Sequence, residues 1–180
     1  MENENLIIDR AKKGDKTASG ELYSIYFDQI YRYLFLKLND RQEAEDLTQN
    51  VFISALKNIQ SYKERDGASF SSWIYRIAHN KYIDALRKQN KAYHTPIDEA
   101  YDLSSDEPSA QENMERKEQM AQILKTVKSL TDAQQEVVAL RFGRELSIAQ
   151  TAQIMGKSEG AIKALQHAAV KSLQKKSHEQ

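Results

Sequence analysis

The sequence predicts an all-α protein built as two small helical lobes joined by a tether, and three observations carry that expectation. Two prolines and six glycines in 180 residues fall short of the roughly nine and thirteen of average usage, so helix breakers are scarce. Apolar residues recur at helical spacing in segment after segment. No strand pattern of any length and no internal repeat is found. A β-sandwich, a collagenous chain and a wholly disordered chain are all disfavoured. The absence of cysteine rules out a disulfide framework and any thiolate metal site or nucleophile. No apolar run approaches the roughly 18 residues of a membrane span. The opening Met1-Glu2-Asn3-Glu4-Asn5 is acidic where a secretory signal is basic and then apolar. The expectation is a soluble, cytoplasmic chain with no membrane insertion of its own.

Four helices are expected in the first lobe. The first covers about 4–13 and is broken by Gly14-Asp15. The second covers about 16–38, with Leu22, Ile25, Tyr26, Ile30, Tyr33 and Leu34 near helical spacing. Asn39, with Gln42 three residues on, reads as the cap of a third helix over about 40–59. Asp66-Gly67 breaks the chain, and a fourth helix covers about 70–90. In the second lobe a helix is expected over about 112–129. Thr131-x-x-Gln134 then forms a capping box for a helix ending at Gly143, and Ser147-x-x-Gln150 caps one that stops at Gly156. Ser158 caps the last, over about 159–175.

The formal net charge is zero, but its distribution is uneven. Residues 1–92 carry 15 basic and 13 acidic side chains, net +2. Residues 93–113 carry six acids, both prolines and no Lys or Arg, net −6. Residues 114–180 carry 11 basic and 7 acidic side chains, net +4. The middle stretch cannot bury enough apolar surface to offset its ordering entropy, so it reads as an acidic flexible linker; a plain solvated loop accounts for the composition as well.

Two short helices joined at Gly156 by a tight turn fit a helix-turn-helix, and Ala152 is small enough for a close crossing. On the last helix Ile162, Leu165, Ala169 and Leu173 form one apolar stripe, with Glu159, Lys163, Gln166, His167 and Lys171 opposite. In such a motif the N-terminal part of the second helix enters the major groove. Ser158, Glu159, Lys163 and His167 then reach bases or phosphates, and the helix N-terminus attracts a phosphate. An ordinary helical hairpin with a solvated face would show the same pattern.

The fourth helix sets an apolar side (Phe70, Ile74, Ile77, Ala78, Ala85) against a second stripe of Trp73, Arg76, Asn80, Asp84 and Arg87. Tyrosines 62, 75 and 82 lie nearby in sequence, and residues 63–91 hold seven basic and three acidic side chains. Cations for a phosphate backbone, interleaved with rings for unstacked bases, are what a single-strand surface requires. The same aromatics also serve as core, Asp84 pairs equally with Lys88 at i+4, and His79 reads as a surface or partly buried helix histidine. The third helix has the opposite sign. Its core stripe is Ala44, Leu47, Val51, Ala55 and Ile59; its far arc holds Glu45, Asp46, Gln49, Asn50 and a stranded Ile53. An apolar side chain ringed by carboxylates and amides suits a protein contact, as it also suits a solvated face.

Ile30-Tyr31-Arg32-Tyr33-Leu34, then Ala44-Glu45-Asp46-Leu47-Thr48-Gln49-Asn50-Val51-Phe52, then Phe70-x-x-Trp73-Ile74-Tyr75-Arg76-Ile77-Ala78-His79-Asn80 with Asp84 and Arg87, resembles region 2 of bacterial sigma factors. Leu140-Arg141-Phe142, Glu145-Leu146-Ser147-Ile148 and the run from Ile154 to His167 resemble region 4. Two such domains at this length resemble the extracytoplasmic-function (ECF) subgroup. The resemblance implies a four-helix region 2 over 1–92, a linker over 93–113 and a helix-turn-helix region 4 over 114–180. It implies a non-enzymatic subunit, without cofactor or metal, whose partners are core RNA polymerase (through the β′ clamp helices and the β flap), promoter DNA and an anti-sigma factor. Glu45, Asp46, Gln49, Asn50 and Ile53 would dock on polymerase. Tyr62, Lys63, Trp73, Arg76, Asn80, Lys81, Asp84, Arg87 and Lys88 would open the minus-ten element and hold flipped bases. Ser158, Glu159, Gly160, Lys163, Ala164, His167 and Lys171 would read the minus-thirty-five element. The tether would thread polymerase channels used by RNA. Ala168 stands where family members often carry arginine, which removes a phosphate contact; Ser19 and Thr151 stand where bulkier apolar residues are usual, which implies looser packing.

Two other functions compete with that expectation. An autonomous helix-turn-helix regulator would use the first lobe for dimerisation or sensing, and would need neither the acidic face nor the aromatic-cationic stripe. A helical hydrolase would use His79, Asp84 or the Glu45-Asp46 pair. The sequence holds no HExxH set, no nucleophile elbow and no phosphate-cradling glycine loop, so the chain is expected not to be an enzyme.

Overall fold

A computed structural model describes residues 4–64, 69–89, 126–142 and 146–177, and all of its regular elements are helical. The chain divides into two compact units, Met1–Thr95 and Pro96–Gln180. The first contains α1 (Glu4–Lys12), α2 (Lys16–Leu38), α3 (Arg41–Asn58), a 3-10 turn (Ile59–Ser61) and α4 (Phe70–Gln89). The second contains α5 (Asp132–Arg141), α6 (Ile148–Met155) and α7 (Glu159–Ser177). The acidic tether at 93–113 lies outside the described residues, as do Gly143 and the helix expected over 112–129 up to residue 125; residues 126–128 are helical.

The breaks follow local chemistry. Gly14 takes a left-handed φ of 88°, and the Asp15 carboxylate accepts from the N–H groups of Thr17 and Ala18 to start α2. The Arg10 guanidinium bonds the same carboxylate at 2.9 Å and ties α1 to that corner. Between α2 and α3 the expected cap is corrected. Asn39 does not cap α3; it is the left-handed C-cap of α2 (φ 53°), its N–H donating to the Phe35 carbonyl. Asp40 caps α3 instead, accepting from Glu43 N at 2.7 Å. Both residue types can cap an N-terminus, but asparagine tolerates positive φ better, and that decides which does which.

The first unit packs α2 across α1, α3 and α4. Leu22, Tyr26, Ile30, Tyr33 and Leu34 are buried as expected, whereas Ile25 is 40% exposed. Turning about 100° per residue, Ile25 sits on the far side of Leu22 from Tyr26, Ile30 and Leu34 and so falls outside the stripe. On α3 Ala44, Val51 and Ala55 are buried and Leu47 is half-buried, with buried Ile59 following in the 3-10 turn; Phe52 and Thr48 join them, the Thr48 hydroxyl donating to the Ala44 carbonyl at 2.6 Å. Each fully buried Leu or Ile of this core stabilises the fold by about 1.5–3 kcal/mol. Among the described residues no buried side-chain polar atom lacks a hydrogen-bond partner.

Tyr26 links α1 to this core, its hydroxyl donating to Glu4 Oε1 at 2.6 Å. Burial, then the Glu4 carboxylate, raises the phenol's pKa well above its ordinary value. A tyrosine in the unfolded chain ionises near pH ~10, while the folded one keeps its proton. The stability this group contributes is therefore complete below about pH 10 and is lost as pH rises beyond it. Denaturant unfolding followed by circular dichroism at about pH 8 and pH 11 should show the first unit weakening, and Tyr26→Phe should lessen the drop. A drop of equal size in Tyr26→Phe would assign it to other tyrosines.

In the second unit both expected capping boxes are formed. Ser147 and Gln150 exchange bonds of 3.1 and 2.8 Å, and Thr131 and Gln134 bonds of 3.4 and 3.0 Å. Gly156 ends α6 with φ 61°, and Ser158 Oγ accepts from Ala161 N at 3.2 Å to open α7. Val137, Ala152 and Ile162 form the buried centre, with Ile148, Met155 and Leu165 packed against it. Thr151 is fully buried, and its hydroxyl donates to the Ser147 carbonyl at 2.9 Å. Ser19 in α2 is half-buried and bonds the Asp15 carbonyl in the same manner.

Candidate functional sites

The acidic arc of α3 faces outward. Asp46, Gln49 and Asn50 are exposed, Glu45 is half-exposed, and Ile53 is 52% exposed. Arg41 pairs with Glu45 at 3.1 Å, and the Asn50 amide donates to the Asp46 backbone carbonyl at 2.9 Å. Beside this arc lies an aromatic ridge that the sequence reading did not single out. Tyr23, Phe27, Tyr31 and Phe35 follow one another every fourth residue along α2, with ring centroids 4.8 to 6.3 Å apart, and Phe52 of α3 packs onto Tyr23 at 4.8 Å. Four-residue spacing was a visible signal for it.

On α4 the expected stripe is presented, but with fewer rings than its sequence neighbourhood suggested. Ser69 opens the helix, its hydroxyl accepting from Ser72 N at 3.1 Å. Arg76, Asn80, Asp84, Arg87 and Lys88 are exposed, as is Lys63; Trp73 and Lys81 are half-buried. Tyr62, Phe70, Tyr75 and Tyr82 are instead core side chains. The Tyr75 hydroxyl donates to the Gln29 carbonyl at 3.2 Å, and Lys37 lies over the Tyr82 ring at 5.4 Å. Tyr62 is 4% exposed; burial, then the charges of Glu64 and Glu4, raises its pKa, which keeps the phenol neutral. Tyr62 and Phe70 form a shelf under Trp73, with centroids 5.5 and 5.3 Å from the indole. Among the described aromatics near this stripe, only Trp73 therefore presents part of its ring to solvent. Asp84 pairs with Arg87 at 3.5 Å, three residues on, rather than with Lys88. His79 is half-buried.

In the second unit Ser158, just before α7, and Glu159, Gly160, Lys163, Ala164, His167 and Lys171 on it are all exposed, while Ile162 and Ala169 are fully buried and Leu165 and Leu173 partly so. Gln166 does not join the open face: it is half-buried and accepts from Arg141 Nε at 3.0 Å. Nothing in local spacing announces that contact, because its partners are 25 residues apart. Phe142, next to Arg141, is 57% exposed.

Among the described residues no group of three or more His, Asp or Glu side chains is placed to hold a metal ion. Nor is any helix among them long and apolar enough to cross a membrane.

Residues 22–92 match the family Sigma-70 region 2, and residues 127–175 match Sigma-70, region 4. The chain is 36% identical to the ECF RNA polymerase sigma factor BldN of Streptomyces coelicolor over 93% of its own length, and spans 63% of that relative. It is 30% identical to the ECF RNA polymerase sigma factor SigW of Bacillus subtilis, over 93% of each chain. In fold it is similar to the sigma factor RpoE of Bartonella quintana, solved in complex with the anti-sigma factor NepR, at a TM-score of 0.67 and 18% identity over 87% of this chain and 94% of that one.

Proposed function

Because the chain belongs to the ECF sigma factors, we propose that it is the subunit that brings core RNA polymerase to promoters and starts transcription there. The arc of Glu45, Asp46, Gln49, Asn50 and Ile53 docks on the β′ clamp helices, with further contact from the second unit to the β flap. The α4 stripe opens the minus-ten element, and the exposed face of α7 reads the minus-thirty-five element as duplex. An anti-sigma factor is the controlling partner.

The observation that carries this reading is the exposed face of α4, where a half-open indole is followed by Arg76, Asn80, Arg87 and Lys88, in the same unit as an outward acidic arc. An autonomous regulator needs neither. Energetics divide the work on that face. Extruding a base costs a few kcal/mol, and stacking on one ring returns about 1–3 kcal/mol. With the neighbouring rings buried, Trp73 alone does not cover the cost. The remainder falls to phosphate contacts from the cations, so opening should weaken steeply with salt.

Run-off transcription with core polymerase on a random-sequence promoter library tests the reading. Chain-dependent transcripts should start a fixed distance downstream of a two-block motif. Enrichment of a duplex motif without transcripts would favour the autonomous regulator.

A further inference from the structure

Arg141 closes α5, and its guanidinium reaches two later segments. Nε donates to Gln166 Oε1 at 3.0 Å, and Nη1 donates to the Leu146 backbone carbonyl. Leu146 immediately precedes Ser147, the N-cap of α6; Gln166 lies on α7 beside His167. One planar cation thus joins the end of one helix, the entry to a second and the flank of a third. We propose that Arg141 is a positioning residue that sets the roll of α7 about its own axis, and hence the direction in which Lys163 and His167 are presented to duplex DNA. The inference rests on the reading of α7 as the duplex-binding helix.

Three physical points support it. Among the described residues α7 places two fully buried side chains in this unit, Ile162 and Ala169, with Leu165 and Leu173 partly buried. Burial of this stripe sets the roll of α7 only coarsely, because an apolar face is roughly 100° wide and apolar burial has no preferred direction within it. Hydrogen bonds weaken steeply off line, and a fork that serves two fixed acceptors at once admits a narrow range of roll. Gln166 is also well placed to transmit the constraint. It is half-buried, on the boundary between buried Ile162 and Ala169 and exposed Lys163 and His167. Lysine at position 141 would keep the charge but lose the fork, since an ammonium is a point donor.

The test uses the full chain assembled with core polymerase, and the duplex that this wild-type assembly enriches from a random-sequence pool. Affinity is measured across a salt series in the cold, where strands stay paired. Arg141→Gln should weaken binding about tenfold by loosening the presented face, with the slope of log affinity against log salt unchanged. Lys163→Ala, by contrast, should lower that slope by about one. Arg141→Lys should behave like Arg141→Gln. Gln166→Met, which keeps size and charge but loses the acceptor, should weaken binding in the same direction. The double variant Arg141→Gln/Gln166→Met should be no weaker than the worse single one.

Wild-type affinity in Arg141→Lys or in Gln166→Met overturns the proposal. So does a slope that falls by about one in Arg141→Gln, because Arg141 would then itself lie on a phosphate. Additive losses in the double variant also overturn it. If Arg141→Gln melts below the assay temperature, Gln166→Met decides alone. Failure of the wild type to enrich any duplex would instead remove the reading of α7 on which the proposal rests.

Discussion

Replacing Trp73 and Arg76 together with alanine should abolish promoter opening while leaving association with core polymerase within about twofold of wild type. The two side chains sit one helical turn apart on the outward stripe of α4, the arginine exposed and the indole half-open. Loss of one stacking ring removes about 1–3 kcal/mol, and loss of a charge-assisted contact about 1.5–3 kcal/mol. Together these lower the open-complex population by two to four orders of magnitude, at about 1.4 kcal/mol per factor of ten. Permanganate footprinting of unpaired thymines reads the opening, and native-gel assembly with core polymerase reads the association. Because the indole rests on Tyr62 and Phe70, its truncation also leaves a gap in packing. Arg76→Ala alone carries no such complication, so opening should already fall about tenfold in that variant. Equal loss of opening and of polymerase association in the double variant would show that the stripe is structural.

The second large effect is expected on α3. Asp46→Lys should weaken binding to core polymerase about a hundredfold, because a reversed charge replaces an attraction by a repulsion at a docking surface. The fold should be spared. Asp46 is exposed, and it is its backbone carbonyl that accepts from the Asn50 side-chain amide. Competition against a fluorescent wild-type chain for core polymerase measures the change, and the melting temperature checks the fold. Unchanged affinity would move the docking surface elsewhere, and the aromatic ridge of Tyr23, Phe27 and Tyr31 beside it would be the next face to alter.

What the sequence made legible is what neighbouring residues decide among themselves. Thr131 with Gln134 and Ser147 with Gln150 are reciprocal partners three residues apart, so both boxes could be read from spacing and both are formed. The stripe of α7 was legible for the same reason: Ile162 and Ala169 are buried while Lys163, His167 and Lys171 are exposed. Asn39 and Asp40 were harder, since either can cap a helix start and only the backbone conformation separates them. The tyrosines of the first unit were harder still. Tyr62, Tyr75 and Tyr82 have an apolar body and a polar tip, so periodicity alone leaves open whether the ring seals a core or meets a ligand. Burial settles all three as core. The Arg141–Gln166 bridge had no local signature, because it exists only once two helices cross.

The corner at Asn39 and Asp40 has a consequence for how this domain can diverge. Only two positions separate Leu38 from Arg41, one spent on a left-handed turn and the other on a carboxylate anchor. Inserting or deleting a single amino acid there would re-index every later position of α3 by about 100°, so that Ala44 or Leu47 would take one of the two positions now held by Glu45 and Asp46. A point substitution leaves that register intact, whereas an indel at the joint would uncouple the exposed arc of α3 from its buried stripe.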